Sequence, residues 1–204
     1  MEISNAALKR LPQYLRILKN KKEEGVVNIS STTIANELNL NSIQVRKDLA
    51  LVSKNDGKPG IGFEVTELIN DLEIFLDLNN TKNAIIVGAG RIGQALMNYN
   101  GFENNIGVLI ALDNDESKCD NKRIFHTSKM KKLIQENNIN IGIITVPKEA
   151  AQEVCDSMIN CGITAIWNFA PINIQTPENV TLKNEDLSAS LSILIRQMNK
   201  KNKL

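Results

Sequence analysis

The sequence predicts an α/β protein: an N-terminal winged helix-turn-helix unit, then a Rossmann-like, doubly wound parallel sheet. Three observations predict it. Two short helical patterns meet at a brief polar joint and run into a glycine-rich turn, Asn55–Gly62. From residue 84 onward, short apolar runs alternate with amphipathic stretches, as in a parallel sheet covered by helices. One of those runs ends in Gly88-Ala89-Gly90-Arg91-Ile92-Gly93, a G-x-G-x-x-G pattern between strand and helix.

Residues 6–22 read as a helix, because Leu8, Leu11, Leu15 and Leu18 recur at spacings of three and four. Pro12 lies inside the pattern, so the regular helix is expected to start there. Ser30-Ser31-Thr32 offers an N-cap to a short helix carrying Ile34, Ala35 and Leu38. After Asn39-Leu40-Asn41, Ser42 is expected to cap a second helix from Ile43 to about Val52, completing a helix-turn-helix. Val45, Leu49 and Val52 share its inward face, while Gln44, Arg46, Lys47 and Asp48 turn towards the other side. Exposed Gln-x-Arg-Lys at a helix start suits recognition of DNA: Gln and Arg pair with base edges, Lys with phosphate. A solvated polar face is the alternative. Asp56-Gly57 signals a hairpin, a wing flanked by Lys54 and Lys58; the alternative is an ordinary surface turn. Thr66 is expected to cap a helix to about Leu78, with Leu68, Leu72, Phe75 and Leu76 inward. Asn79–Asn83 reads as a polar linker.

Beyond the linker, strands are expected at Ala84–Val87, Ile106–Leu112, Ile141–Val146, Ile163–Phe169 and Val180–Leu182. Helices are expected at Ile92–Asn98, Lys129–Asn137, Ala150–Asn160 and Asp186–Met198. The last carries Leu187, Leu191, Leu194 and Ile195 on one face. The tail Lys200-Lys201-Asn202-Lys203 reads as frayed and solvated. Domains are expected at 1–80, 81–185 and 186–204.

In the glycine motif, Gly88 permits the tight turn, Gly90 lets a pyrophosphate approach the backbone, and Gly93 lets helix and strand pack closely. The N-terminus of the helix that starts around Arg91 and Ile92 offers free N–H groups and a positive dipole end to phosphate. Arg91 sits where it can face the pyrophosphate, a plain surface residue being the alternative. Asp113 ends the second strand, where a carboxylate accepts from both ribose hydroxyls and repels a 2′-phosphate. No Arg follows at once, so NAD(H) is favoured over NADP(H). Thr145-Val146-Pro147 and Asn168-Phe169-Ala170-Pro171 close later strands, on the side where doubly wound sheets bind ligands. Val146, Phe169 and Ala170 are candidates for a nicotinamide pocket; turn-forming prolines with packing neighbours are the alternative.

The 204 residues are 42% hydrophobic and 23% charged, which excludes a disordered chain. Net charge is +1, but unevenly spread: residues 1–62 carry ten Lys/Arg against six Asp/Glu, and the remainder is mildly negative. A basic front and an acidic remainder imply two units with different partners. No apolar run approaches the ~20 residues of a membrane span, and Met1–Asn5 lacks the features of a signal peptide, so a cytoplasmic location is expected. Cys119, Cys155 and Cys161 show no metal-ligand spacing and read as reduced, packed thiols. A dehydrogenase needs an acid–base group and a substrate domain. The single His126 is expected in a polar loop, and residues 84–185 are used up by the dinucleotide fold, so no catalytic residue and no metal are expected.

These residues resemble the Rex family of redox-sensing transcriptional repressors over nearly the whole chain. The resemblance rests on Leu8-Lys9-Arg10-Leu11-Pro12, Tyr14-Leu15-Arg16, Gln44-Val45-Arg46-Lys47-Asp48-Leu49, Val87-Gly88-Ala89-Gly90 and Asn98-Tyr99-Asn100-Gly101-Phe102. It continues through Thr145–Gln152, Asn168–Pro171 and Glu185-Asp186-Leu187. It implies a homodimer with a C-terminal helix swapped between subunits, a palindromic double-stranded operator, and release of that operator by NADH. It also implies switch contacts at Arg16, Tyr99 and Asp186. The wing departs from the family: Ala50-Leu51-Val52-Ser53 replaces a Ser-Tyr-Phe-Gly-like stretch, and Pro59 stands where an Arg is usual. Fewer phosphate contacts are expected there. The alternative is an NAD(H)-binding module acting on protein partners, with weakened or lost DNA binding.

Overall fold

The computed structural model describes residues 3–102 and 105–201. Contacts divide the chain into two units, Met1–Asn80 and Thr81–Leu204. Met1-Glu2 and the tail from Asn202 lie outside the described residues.

The first unit runs α1 (Asn5–Glu23), β1 (Asn28–Ile29), α2 (Ser31–Leu38), α3 (Ser42–Ala50), β2 (Phe63–Glu64) and α4 (Val65–Phe75). Its core joins Leu11, Tyr14 and Leu18 of α1 to Ile34, Leu49, Leu68 and Leu72. Helix α1 begins at Ser4, whose hydroxyl accepts from Ala7 N, and continues through Pro12 rather than starting there. An interior proline costs about 3 kcal/mol. Each fully buried large side chain returns roughly 1.5–3 kcal/mol, and Leu11, Tyr14, Leu15 and Leu18 are buried on both sides of Pro12.

Two expected caps move. Asn41, not Ser42, caps α3; its Oδ1 accepts from Ile43 N at 2.8 Å while its backbone is still extended. Glu64, not Thr66, caps α4, its carboxylate accepting from Thr66 N and Glu67 N at the positive helix end. Helix α4 stops at Phe75, which is exposed; Leu76 and Leu78 complete the core instead. The wing is real, but its tight turn is Lys58-Pro59-Gly60-Ile61, not Asp56-Gly57. Ile61 N donates to Lys58 O, and Gly60 holds the positive φ of 76° that follows proline in a type II turn. Lys58 and Gly62 close it as an antiparallel bridge, and β1 pairs antiparallel with β2.

The second unit runs β3 (Lys82–Val87), α5 (Arg91–Met97), β4 (Ile106–Asp113), β5 (Ile124–His126), α6 (Met130–Glu136), β6 (Ile141–Ile144), α7 (Lys148–Asn160), β7 (Ala165–Asn168), β8 (Thr181–Asn184) and α8 (Leu187–Lys201). The six strands form one parallel sheet in the order β5-β4-β3-β6-β7-β8, the doubly wound order. Strand β5 is a correction: His126 ends an edge strand rather than lying in a loop, and three residues are too few to show a period. Alternation splits the core. Ile85, Val87, Leu112 and Ile144 pack under α6 and α7, while Ala84, Ile86, Ala111 and Ile143 pack under α5. The register pairs Val87 with both Leu112 and Ile144, so the loops after β3, β4 and β6 emerge side by side.

Candidate functional site

That crevice at the carboxyl ends of β3, β4 and β6 is where the sheet reverses its winding. Gly88 has φ 105°, and a side chain there would press on the Thr145 carbonyl. A Cβ on Gly93 would overlap the Gly88 carbonyl oxygen, so the first turn of α5 lies against the loop. Gly90 is different: a Cβ there meets nothing within 4 Å. Gly88 and Gly93 are therefore required by the fold, whereas Gly90 leaves open backbone beside the crevice. The Thr145 hydroxyl donates to Gly88 O at 2.7 Å, and Gln94 Nε2 donates to Ala89 O at 3.0 Å, bracing the loop from both sides.

Asp113 is buried at the end of β4. One carboxylate oxygen accepts from Ala89 N at 2.8 Å and the other from Asp115 N at 2.9 Å. Lys118 Nζ lies 3.2 Å away. The expected ribose-binding carboxylate thus also anchors the glycine loop and carries a cation. Sequence reading missed Lys118, which reaches back from a short turn after β4 with no motif to mark it. A cleft of about 950 Å³ opens here, lined by Gly88, Gly90, Asp113, Lys118, Thr145, Val146 and Pro147 among others. Such a volume is typical of small-molecule and cofactor sites. Arg91 and Ile92 are exposed on the first turn of α5, and Ala89 is buried.

Asn168 ends β7, Phe169–Pro171 follow it, and none of the four is among the residues lining this cleft. Asn168 is fully buried, and its amide is consumed internally. It donates to Ala170 O, Ile172 O and Asn184 Oδ1 and accepts from Ala170 N. Phe169 lies 4.7 Å from the Trp167 ring, which continues through Phe102 to Tyr99 in edge-on contacts. Ala170 is buried and Pro171 exposed. Tyr99 is exposed; Asp186 caps α8 by accepting from Ala189 N at 2.7 Å; Arg16 is exposed on α1 in the other unit.

In the first unit, Arg46 and Lys47 of α3 line one groove with Ser30, Ser31, Lys58 and the wing residues Pro59–Phe63. Lys54 is not among them. Its backbone N–H donates to buried Asp71, and its ammonium lies 3.8 Å from the same carboxylate. Asp48 is a correction: it is 2% exposed, not on the solvent side. Arg10 clasps it with two hydrogen bonds of 2.7 and 2.9 Å, and the Tyr14 hydroxyl donates at 2.7 Å. Burial alone would raise the Asp48 carboxyl, but donors from Arg10, Tyr14 and Gln44 hold it below its ordinary value. Burial, then the bond to Asp48, pushes Tyr14 up to about 12. The signal for this network was present as Arg10 and Tyr14 four apart on α1, one helical turn.

Comparison with known proteins gives concordant results. Residues 2–50 match the family model "Putative DNA-binding protein N-terminus", and residues 79–172 match "CoA binding domain". The redox-sensing transcriptional repressor Rex of Clostridium perfringens is 38% identical over 203 residues, covering 97% of this chain and 95% of that protein. RSP, described as a Rex-family repressor, has been solved with β-NAD+ and operator DNA. That structure superposes at TM-score 0.90 and 35% identity, over 99% of this chain and 95% of its own. RSP with β-NADH superposes at 0.87 and 34% identity, over 99% and 97%.

Proposed function

The chain belongs to the Rex family of redox-sensing transcriptional repressors, and from that premise we propose how its own residues do the work. It binds double-stranded operator DNA through the first unit and NADH or NAD through the second, and NADH releases the operator. The reading as a module that acts on protein partners alone is not favoured. The observation that carries the cofactor assignment is the contrast within the glycine loop: backbone left open at Gly90, between two glycines that the fold itself needs.

The dinucleotide supplies a nicotinamide ring that is cationic when oxidised and neutral when reduced, which is the difference to be sensed. The open backbone at Gly90 and the N–H groups of Arg91 and Ile92 receive the pyrophosphate. Asp113 meets the adenosine ribose while keeping Ala89 in place. Thr145, Val146 and Pro147 form the adjoining wall. Phe169, Ala170 and Pro171 border the nicotinamide end, and Asn168 serves them by holding their turn. Arg46 and Lys47, with Lys58, face DNA; Gln44 reads a base edge, and Lys54 adds charge at the margin. NADH releases DNA because it favours an arrangement in which two recognition helices no longer match successive major grooves. That requires a homodimer. Exposed Leu187, Leu191, Leu194 and Ile195 on α8 supply an apolar face for a second copy, through the family's helix exchange. Arg16, Tyr99 and Asp186 act as switch contacts. The units serve as a DNA-binding domain (1–80), a dinucleotide-binding domain (81–185) and an exchanged helix (186–204). We assign no catalytic residue and no metal, and place the protein in the cytoplasm with its DNA. The test is a mobility shift on duplexes selected from a random pool, without nucleotide, with NAD and with NADH. Selective binding abolished by NADH supports the reading; no selective binding in any state overturns it.

A further inference from the structure

The Asp48 network does more than tie α1 to α3. A carboxylate has about four acceptor positions, and all four of Asp48 are used. Oδ2 takes Arg10 Nε and the Tyr14 hydroxyl; Oδ1 takes Arg10 Nη2 and, at 2.9 Å, Gln44 Nε2. Gln44 is thus an exposed residue in the first turn of α3 whose amide rests on a buried anion.

We propose that Asp48 is a positioning residue that fixes which way the Gln44 amide faces, so that Gln44 selects adenine over guanine at one base pair of the operator half-site. The inference rests on the reading of α3 as the helix that enters the major groove. An amide has two faces of opposite polarity. Beside an anion that has no hydrogen to give, only the NH2 end can turn inward; the Oε1 end would be repelled. The groups left facing outward are then Oε1 and the second N–H, one acceptor and one donor side by side. Adenine presents the complement in the major groove, an N6 donor beside an N7 acceptor, whereas guanine presents two acceptors, N7 and O6. A free glutamine can flip to suit either base; a held one cannot. Residues at the start of a recognition helix are those that reach base edges. Ile43, next to Gln44 and 54% exposed, adds an apolar surface suited to a thymine methyl at a neighbouring position.

The test uses the full chain with NAD and a duplex selected from a randomised pool, each position then replaced in turn by the other three pairs. The unmodified protein is expected to prefer A·T over G·C by about tenfold or more at one symmetric position. Gln44→Ala, at an exposed site, should erase that preference and leave the other positions unchanged. Asp48→Asn can donate to Gln44 Oε1 and so permits the flip; the adenine-to-guanine ratio should fall towards one with Gln44 still present. Arg10→Met/Asp48→Asn repeats the test without a stranded guanidinium. If both Asp48 variants weaken all duplexes equally and leave the ratio unmoved, Asp48 is purely structural and the inference falls. It falls equally if Gln44→Ala leaves every position as it was. Failure of the unmodified chain to select any sequence overturns the DNA reading itself, and this inference with it.

Discussion

At the scale of single residues, the three glycines of the crevice make opposite demands. Gly93→Ala drives a methyl into the Gly88 carbonyl, and such overpacking costs about 1–3 kcal/mol. Gly90→Ala has free space and an ordinary extended backbone, φ −78°. It should leave the melting temperature of the nucleotide-free protein unchanged and lower NADH affinity at least tenfold. Paired thermal melts with and without NADH separate the two effects. Asp113→Ala should reduce NADH affinity and narrow the preference over NADPH, because Lys118, released from its partner, remains to meet a 2′-phosphate. Calorimetric titration of both nucleotides checks this, and equal affinities in the unmodified protein would refute the ribose assignment. Asp48 brings a pH dependence. Its carboxyl is held below the ordinary value, so its stabilising effect is present above the usual carboxylate range near 4 and is lost as pH falls through its lower folded-state value. The gap in melting temperature between the unmodified chain and Asp48→Asn should be full at neutral pH and close under acid. The motif glycines and Asp113 were legible in the sequence, because fixed spacing reports them. Lys118 was not: it is only five residues from Asp113, and nothing in a short turn marks a lysine that folds back. For the Arg10–Tyr14–Asp48 cluster the sequence showed the spacing of Arg10 and Tyr14 but not their partner, which lies 38 and 34 positions along the chain.

At the scale of elements, the recognition helix and wing were read from periodicity and turn residues, and both exist. What slipped were their edges. Asn41 and Ser42 are both good caps, and only backbone geometry chooses between them; Asp-Gly and Pro-Gly are both turn signals, and the pairing of Lys58 with Gly62 decides for the second. The wing tip is apolar, with Pro59 and exposed Ile61 beside a lone flanking Lys58. Lys47→Ala should therefore flatten the dependence of operator affinity on salt by roughly one unit of slope. Pro59→Arg should steepen it by a similar amount. Arg46→Ala should cost about 1–3 kcal/mol if that side chain reads a guanine. Titrations across a salt series measure all three. A slope unaffected by Lys47→Ala would remove that residue from the DNA interface.

At the scale of the whole molecule, the alternation of strands and helices announced the doubly wound sheet, and its strand order agrees with it. The edge strand β5 stayed hidden because three residues carry no period. Helix α8 leaves Leu187, Leu191, Leu194 and Ile195 between 46% and 63% exposed. Charged substitutions at Leu191 and Leu194 together should yield a monomer by light scattering that still binds NADH but loses high-affinity operator binding. An unchanged dimer would sink the assigned interface.

Glu185 and Asp186 alone separate β8 from α8. Glu185 N donates to Asn168 O at 2.8 Å, and its carboxylate receives Trp167 Nε1 at 2.9 Å, so the joint is bolted to the end of β7. Beyond the joint, 15 residues of helix project, roughly 22 Å at about 1.5 Å per residue. The joint is a fulcrum and the helix its lever arm: a tilt of about 10° at the base sweeps the tip through about 4 Å, most of the rise of one helical turn. A shift too small to disturb the sheet is thereby magnified at the far end of the arm, where a second copy seated on the proposed apolar face would feel it.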